Sequence, residues 1–127
     1  MLSSSPDNIK MDYNVKKWCH VLENTFLTYY WTEHAKKYTY TERTEASPKH
    51  IEKILLAYNK GNNQYIRETE GNRPNTKRIL HVIPHIPKLI TVVIDTTQTN
   101  CWKIVTYYYT DKEEEIRNKF GNYDNLA

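Results

Sequence analysis

Leu89-Ile90-Thr91-Val92-Val93-Ile94-Asp95, a polar link from Thr96 to Cys101, and then Trp102-Lys103-Ile104-Val105-Thr106-Tyr107-Tyr108-Tyr109 is the stretch that decides the fold. Its first half is nearly unbroken apolar and β-branched, the pattern of a central strand covered on both faces. The second half alternates, which puts Trp102, Ile104, Thr106 and Tyr108 on one face and Lys103, Val105, Tyr107 and Tyr109 on the other. Lys88 to Thr110 therefore reads as a hairpin. Within it, Thr106 and Tyr108 offer two hydroxyls on one face, two residues apart.

Working outward, Arg78–Ile83 reads as a strand closed off by Pro84 and Pro87, and Gln64–Thr69 as another. The turn-rich Gly71-Asn72-Arg73-Pro74-Asn75 lies between them. Ser47-Pro48 starts a helix, with Ser as N-cap and Pro at the first helical position. Ile51, Ile54, Leu55 and Tyr58 form its apolar stripe, and Asn59-Lys60-Gly61 ends it. Thr32 caps a shorter helix through Tyr38. Lys112–Phe120 reads as a terminal helix capped by Asp111 and stopped by Gly121. Between Asn8 and Tyr30, Ile9, Val15, Trp18, Val21, Leu22 and Leu27 recur at roughly helical intervals, so one or two helices are expected there, with Asp12 or Asn14 as caps. Met1 to Asp7 reads as disordered. Helices first and strands afterwards give a single α+β domain over residues 1–127, with N-terminal helices packed on a twisted antiparallel sheet.

The formal charge of +3 permits an anionic partner without requiring one, but the distribution is uneven. Eleven cations against five acids lie between Lys36 and Lys88, whereas the stretch from Asp111 onward is acidic. A basic middle before an acidic end reads as a phosphate-facing surface with a solvated back. The two cysteines, Cys19 and Cys101, form neither a disulfide framework nor a zinc pattern; they read as free thiols, with a bridge left open. No apolar run has the length of a membrane span, and no signal-peptide pattern opens the chain.

Five histidines raise the question of a metal. His81 and His85 are four apart but separated by Pro84, and no His-Glu-x-x-His pattern occurs, so no metal site and no cofactor are expected. One hydrolytic chemistry remains open, RNA cleavage by the substrate's own 2′-hydroxyl. It needs a proton acceptor, a donor for the leaving oxygen, and cations or hydroxyls around the phosphorus. Histidine suits the transfers because both of its forms are populated near neutral pH. Lys, Arg, Thr and Tyr suit the charge-stabilising part. His34 is the leading candidate, since Lys36 and Lys37 follow it within one helical turn. His50 reads as exposed, and His20 as a packing residue beside Trp18.

His34-Ala35-Lys36-Lys37-Tyr38-Thr39-Tyr40 resembles the His-Ala-x-x-Phe-x-Ile signature of the colicin D ribonuclease domain. Leu89–Asp95, a polar loop, and Ile104–Tyr108 resemble the closing hairpin of that family, in which Ser or Thr is followed two residues later by an aromatic. The same layout recurs in the barnase–EndoU–colicin–RelE group, including the C-terminal toxins of contact-dependent growth inhibition proteins. The resemblance covers roughly Thr32 to Thr110. It implies a metal-independent tRNA-cleaving toxin that leaves a 2′,3′-cyclic phosphate, with His34 as general acid/base, Thr106 as the phosphate-contacting hydroxyl and Tyr108 as its aromatic partner. Lysine precedes the family's histidine, and Glu33 stands there in this chain. The basic role then passes to Arg67, Lys36, Lys37 or Arg78, of which Arg67 is preferred, while Lys36, Lys37 and Arg78 hold the RNA. The resemblance also implies an acidic cognate immunity protein, in some relatives a translation factor, and action in the cytoplasm of a target bacterial cell. The rival readings are a non-enzymatic binding domain, such as an immunity or small phage protein, and a RelE-type toxin acting on ribosome-bound mRNA.

Overall fold

The computed structural model describes residues 9–13, 15–39, 48–61 and 63–126, apart from the side chains of Tyr38 and Thr39. Within these residues seven strands, β1 (Ile9–Asp12), β2 (Lys17–Val21), β3 (Thr28–Trp31), β4 (Ile66–Glu70), β5 (Thr76–Ile83), β6 (Lys88–Asp95) and β7 (Cys101–Thr110), form one open sheet in the order β1-β2-β3-β7-β6-β5-β4. Among the described residues three helices, α1 (Glu33–Thr39), α2 (Pro48–Lys60) and α3 (Glu113–Phe120), give with this sheet an α+β fold. The disorder expected for Met1–Asp7 and the Ser47 cap fall outside the described residues.

From α2 onward the order of helices and strands is the one the sequence predicts. Pro48 opens α2, Ile51, Ile54 and Leu55 are buried, and Gly61, at φ 75°, closes it with its N–H donating to the Tyr58 carbonyl at 3.0 Å. The expected hairpin is β6–β7, and β4–β5–β6–β7 is an antiparallel meander. The α3 cap differs. Lys112 rather than Asp111 is the N-cap, and it makes no side-chain cap bond. Glu113, Glu114 and Glu115 instead offset the helix dipole in the first turn.

Two expectations are corrected. Ile9–Trp31 forms three short strands, not helices. Its apolar spacing fits a helix, yet Lys17–Val21 is extended, with Cys19 fully buried and Lys17 and Trp18 exposed. Lys16 and Asn24 turn the chain at φ 56° and 59°, which interrupts any helix and folds the strands back on one another. The sheet is mixed rather than wholly antiparallel, because β3 runs parallel to β7, with Thr28 opposite Cys101 and Trp31 opposite Ile104. That pairing is possible because more than sixty residues connect the two strands, ample for a crossover.

A bulge in β7 changes which side chains share a face. Val93 pairs with Thr106 and Ile94 with Ile104, so Val105 is the extra residue. Trp102 and Ile104 therefore lie on the same side as Tyr107 and Tyr109, and not with Thr106 and Tyr108 as strict alternation predicts. Thr106 and Tyr108 still share a face with each other.

The sheet has a core on each side. Ala35 of α1 and Ile51, Ile54 and Leu55 of α2 pack against Tyr29, Ile79, Ile90, Val92, Ile94, Trp102, Ile104 and Tyr107. On the other side Ile116 and Phe120 of α3, with Tyr123 and Leu126, cover Leu80, Val82 and Leu89. The unbroken apolar run of β6 follows from this arrangement, since alternate residues serve the two cores.

Candidate nucleic-acid interface

Strand register places four of the sequence-selected residues on the α3 side of the sheet. Arg67, Leu80, Thr91 and Tyr108 lie in one row across β4, β5, β6 and β7. Thr69, Arg78, Val93 and Thr106 make the adjacent row. Leu80 belongs to the core beneath α3, which fixes the side to which both rows point. Thr69, Arg78, Leu80 and Tyr108 line a cleft of about 460 Å³, walled by Asn118 and Lys119 of α3. Space of that order accommodates a nucleotide-sized ligand.

The two arginines are held differently. The Arg67 guanidinium lies over the Phe120 ring, 4.5 Å from its centroid, and donates to the Gln64 and Ile66 carbonyls at 2.9 and 3.1 Å. Its charge thus serves the α3 packing. Arg78 donates to Asn72 Oδ1 at 2.6 Å and to the Glu70 carbonyl at 2.9 Å, and it remains part of the cleft wall. Lys119 brings its ammonium to 5.5 Å from the Tyr108 ring centroid. Sequence reasoning passed over Lys119 because it sits in the acidic terminal segment. Only the packing of α3 across the sheet brings it to Tyr108.

His34 is not in either row. It is exposed on α1, next to Ala35, whose side chain enters the core on the α2 side. Thr32 ties the start of this helix to the β7 bulge. Its Oγ1 donates to the Val105 carbonyl at 3.0 Å and accepts from the Ala35 N–H at 3.1 Å, while its own N–H donates to the Ile104 carbonyl at 3.1 Å. The helix thus starts at β7 one residue short of Thr106. Lys36 pairs with Glu33 at 3.6 Å on the exposed side of α1, and Lys37 is exposed beside it.

A second polar constellation, absent from the sequence reading, lies across the sheet. His50 of α2 meets His81 of β5 edge to face, with ring centroids 5.6 Å apart. Lys49, Lys53, Asn63, Ile54, Ala57 and Ile66 complete a cavity of about 530 Å³ around them. Burial, and then the neighbouring His50, bring His81 down to about 4, and its Nδ1 is buried without a partner. Burial and the nearby Lys53 charge also lower His50. The two histidines are thirty-one residues apart, and only the laying of α2 over β5 joins them. His20, the third histidine, stacks on Tyr29 at 5.2 Å and does pack, but from a strand.

Comparisons with family models, with curated proteins and with solved structures gave no match to this chain. Among the described residues no helix is long and apolar enough to cross a membrane.

Proposed function

We propose that this chain is an endoribonuclease domain of the toxin type, which binds RNA across the α3 side of the sheet and cleaves it through the substrate's own 2′-hydroxyl. The reading rests on one observation. Arg78, Thr106 and Tyr108, selected from the sequence, fall in adjacent rows of one face beside a nucleotide-sized cleft that also carries Lys119. A cation pair, two strand hydroxyls and an aromatic ring are what a phosphodiester and an unpaired base need. In this scheme His34, on a helix that packs on the α2 side but starts where β3 leaves the edge of β7 unpaired, is reached by RNA around that edge and accepts the 2′-hydroxyl proton. The 2′ oxygen then bonds to phosphorus, the bond from phosphorus to the 5′ oxygen breaks, and that oxygen takes up the proton that His34 accepted. Thr106 donates to a non-bridging oxygen, and Arg78 and Lys119 balance the added charge. Transfer RNA is the favoured substrate, an acidic immunity protein is the natural inhibitor of so basic a cleft, and a translation factor is a further partner that some toxins of this type use.

A second reading keeps the reaction and moves it to the α2 side. The observation in its favour is the contact between His50 and His81, since two adjacent imidazoles can divide the acid and base roles beside Lys49 and Lys53.

The test is incubation of the purified chain with total tRNA in EDTA, followed by analysis of the RNA ends. Cleavage leaving 2′,3′-cyclic phosphates, lost in His34→Ala without a change in melting temperature, supports the first reading. Cleavage that survives His34→Ala but not His50→Ala or His81→Asn moves the site to the second. Intact tRNA, with ribosome-bound mRNA also untouched, leaves a binding domain.

A further inference from the structure

Asp12, Cys19 and Cys101 come from three different strands, β1, β2 and β7, yet their donor atoms all lie within 4.8 Å of one another. The two sulfurs are 3.3 Å apart, and both thiols are free and buried, Cys19 at 0% and Cys101 at 3% exposure. Cys101 points away from the α2-side core that its neighbour Trp102 enters, and Cys19 reaches the same place across the intervening β3. Asp12 is only partly buried, which leaves the group open to solvent on the carboxylate side.

We propose that these three residues form a binding site for a thiophilic divalent cation, with Zn²⁺ as the cation, that staples the N-terminal hairpin to β7. The donor set decides the class of ion. Two sulfurs and one carboxylate oxygen favour Zn²⁺ over Mg²⁺ or Ca²⁺, which take oxygen ligands. Tetrahedral zinc–thiolate geometry sets the sulfurs about 3.8 Å apart, so binding parts them by roughly 0.5 Å and draws Asp12 inward. Both thiol protons pass to solvent as the thiolates ligate. A water, or the Lys17 carbonyl, which lies 3.5 Å from Cys19 Sγ, takes the fourth position. A disulfide would use only the two sulfurs; the cation draws on all three groups, while Asp12 Oδ1 also accepts from the Val15 N–H at 3.2 Å.

The location gives the site its purpose. β2 pairs with β3 at only two positions, His20 with Tyr29 and Val21 with Thr28. The β1–β2 hairpin is therefore joined to the rest of the sheet by a short ladder, and a cation held between β2 and β7 bridges across it. This inference is independent of the nuclease reading, and its test involves no RNA.

The experiment is a titration of the reduced 127-residue chain with Co²⁺ and then Zn²⁺, read by absorbance, calorimetry and thermal melting. One equivalent of Co²⁺ should give the thiolate-to-metal charge-transfer band and the intense visible bands of a tetrahedral site, and Zn²⁺ should displace it and raise Tm. Cys19→Ser and Cys101→Ser should each abolish the band, and Asp12→Asn should weaken Zn²⁺ binding at least tenfold while the far-ultraviolet circular dichroism is unchanged. Because Asp12→Asn keeps both thiols, it separates loss of a ligand from loss of the fold. Absence of the charge-transfer band in the wild-type chain overturns the proposal. So does Zn²⁺ binding that persists in both cysteine variants, which would locate the metal elsewhere, or mass analysis showing that the two sulfurs form a disulfide in preference to binding the ion.

Discussion

Thr32 Oγ1 donates to the carbonyl of Val105, the extra residue of the β7 bulge, across 3.0 Å. One hydroxyl thus caps α1 and fixes where that helix starts relative to Thr106. Replacing it with Thr32→Val leaves the Ala35 N–H and the Val105 carbonyl short of a partner. The expected cost is about 1–2 kcal/mol, visible as a fall in Tm of several degrees, and Thr32→Ser should restore most of it. If RNA cleavage depends on His34, Thr32→Val should slow it more than it lowers stability, which parallel melting and nicking assays would reveal.

Stability should fall in mild acid because of His81. Its folded-state value of about 4 lies below the ordinary value of 6.5, owing to burial and then to His50, with Lys53 adding to the positive surroundings of the pair. Above about pH 6.5 neither folded nor unfolded chain holds the proton, so His81 makes no pH-dependent difference there. Between pH 6.5 and 4 the unfolded chain takes a proton that the folded chain refuses, and stability drops as pH falls. Allowing for solvent at the cavity rim, the loss is about 2 kcal/mol. Melting curves of His81→Leu across this window should show a flatter pH response than the wild type; equal slopes would exclude His81 as the source.

RNA affinity should respond to the cleft cations and to the ring between them in different ways. Arg78→Ala and Lys119→Ala should each weaken binding across all sequences and reduce the salt dependence by about one ion. Tyr108→Phe should bind nearly as well as the wild type, whereas Tyr108→Ala should lose about 1–3 kcal/mol if a base stacks on the ring. Fluorescence anisotropy at several salt concentrations distinguishes the two effects.

The β4–β5 turn has no room for a side chain at Gly71. A Cβ there would lie 2.1 Å from Thr76 Oγ1 and 2.8 Å from Thr76 Cβ. Thr76 cannot step aside without loss, because its hydroxyl donates to the Arg73 carbonyl at 2.6 Å and accepts from the Arg73 N–H at 3.2 Å. Gly71→Ala should therefore destabilise by about 1–3 kcal/mol, measured by urea unfolding. Arg78, anchored in this hairpin through Asn72 and Glu70, should lose RNA affinity in the same variant.

What the sequence discloses here depends on how local each determinant is. α2, with Pro48 at its start and Gly61 at its end, and the β6–β7 hairpin are written in neighbouring residues, so both are legible. Register-dependent features are less so. The bulge at Val105 is a property of the pairing with Val93 and Ile94, and no composition rule within β7 announces it. The first three strands are misread because Ile9, Val15, Trp18, Val21 and Leu22 satisfy a helical spacing; β1 and β2 pair through a turn with Lys16 at positive φ, which that spacing does not announce, and only β3 has a partner, β7, some seventy residues away. In the candidate sites, Thr106, Tyr108, Arg67 and Arg78 share a face, as strand periodicity allows. Lys119 and the His50–His81 pair emerge only from helices crossing the sheet.

The parallel seam between β3 and β7 bears on the order of assembly. Strands β4 to β7 zip through short turns, whereas the seam closes a loop of about seventy residues and carries the higher entropic toll. The four-stranded meander is thus the natural nucleus, and the N-terminal third docks onto an edge already built. Until it docks, the outer edge of β7 stays bare, and a newly made chain is at that stage most open to pairing with the wrong strand.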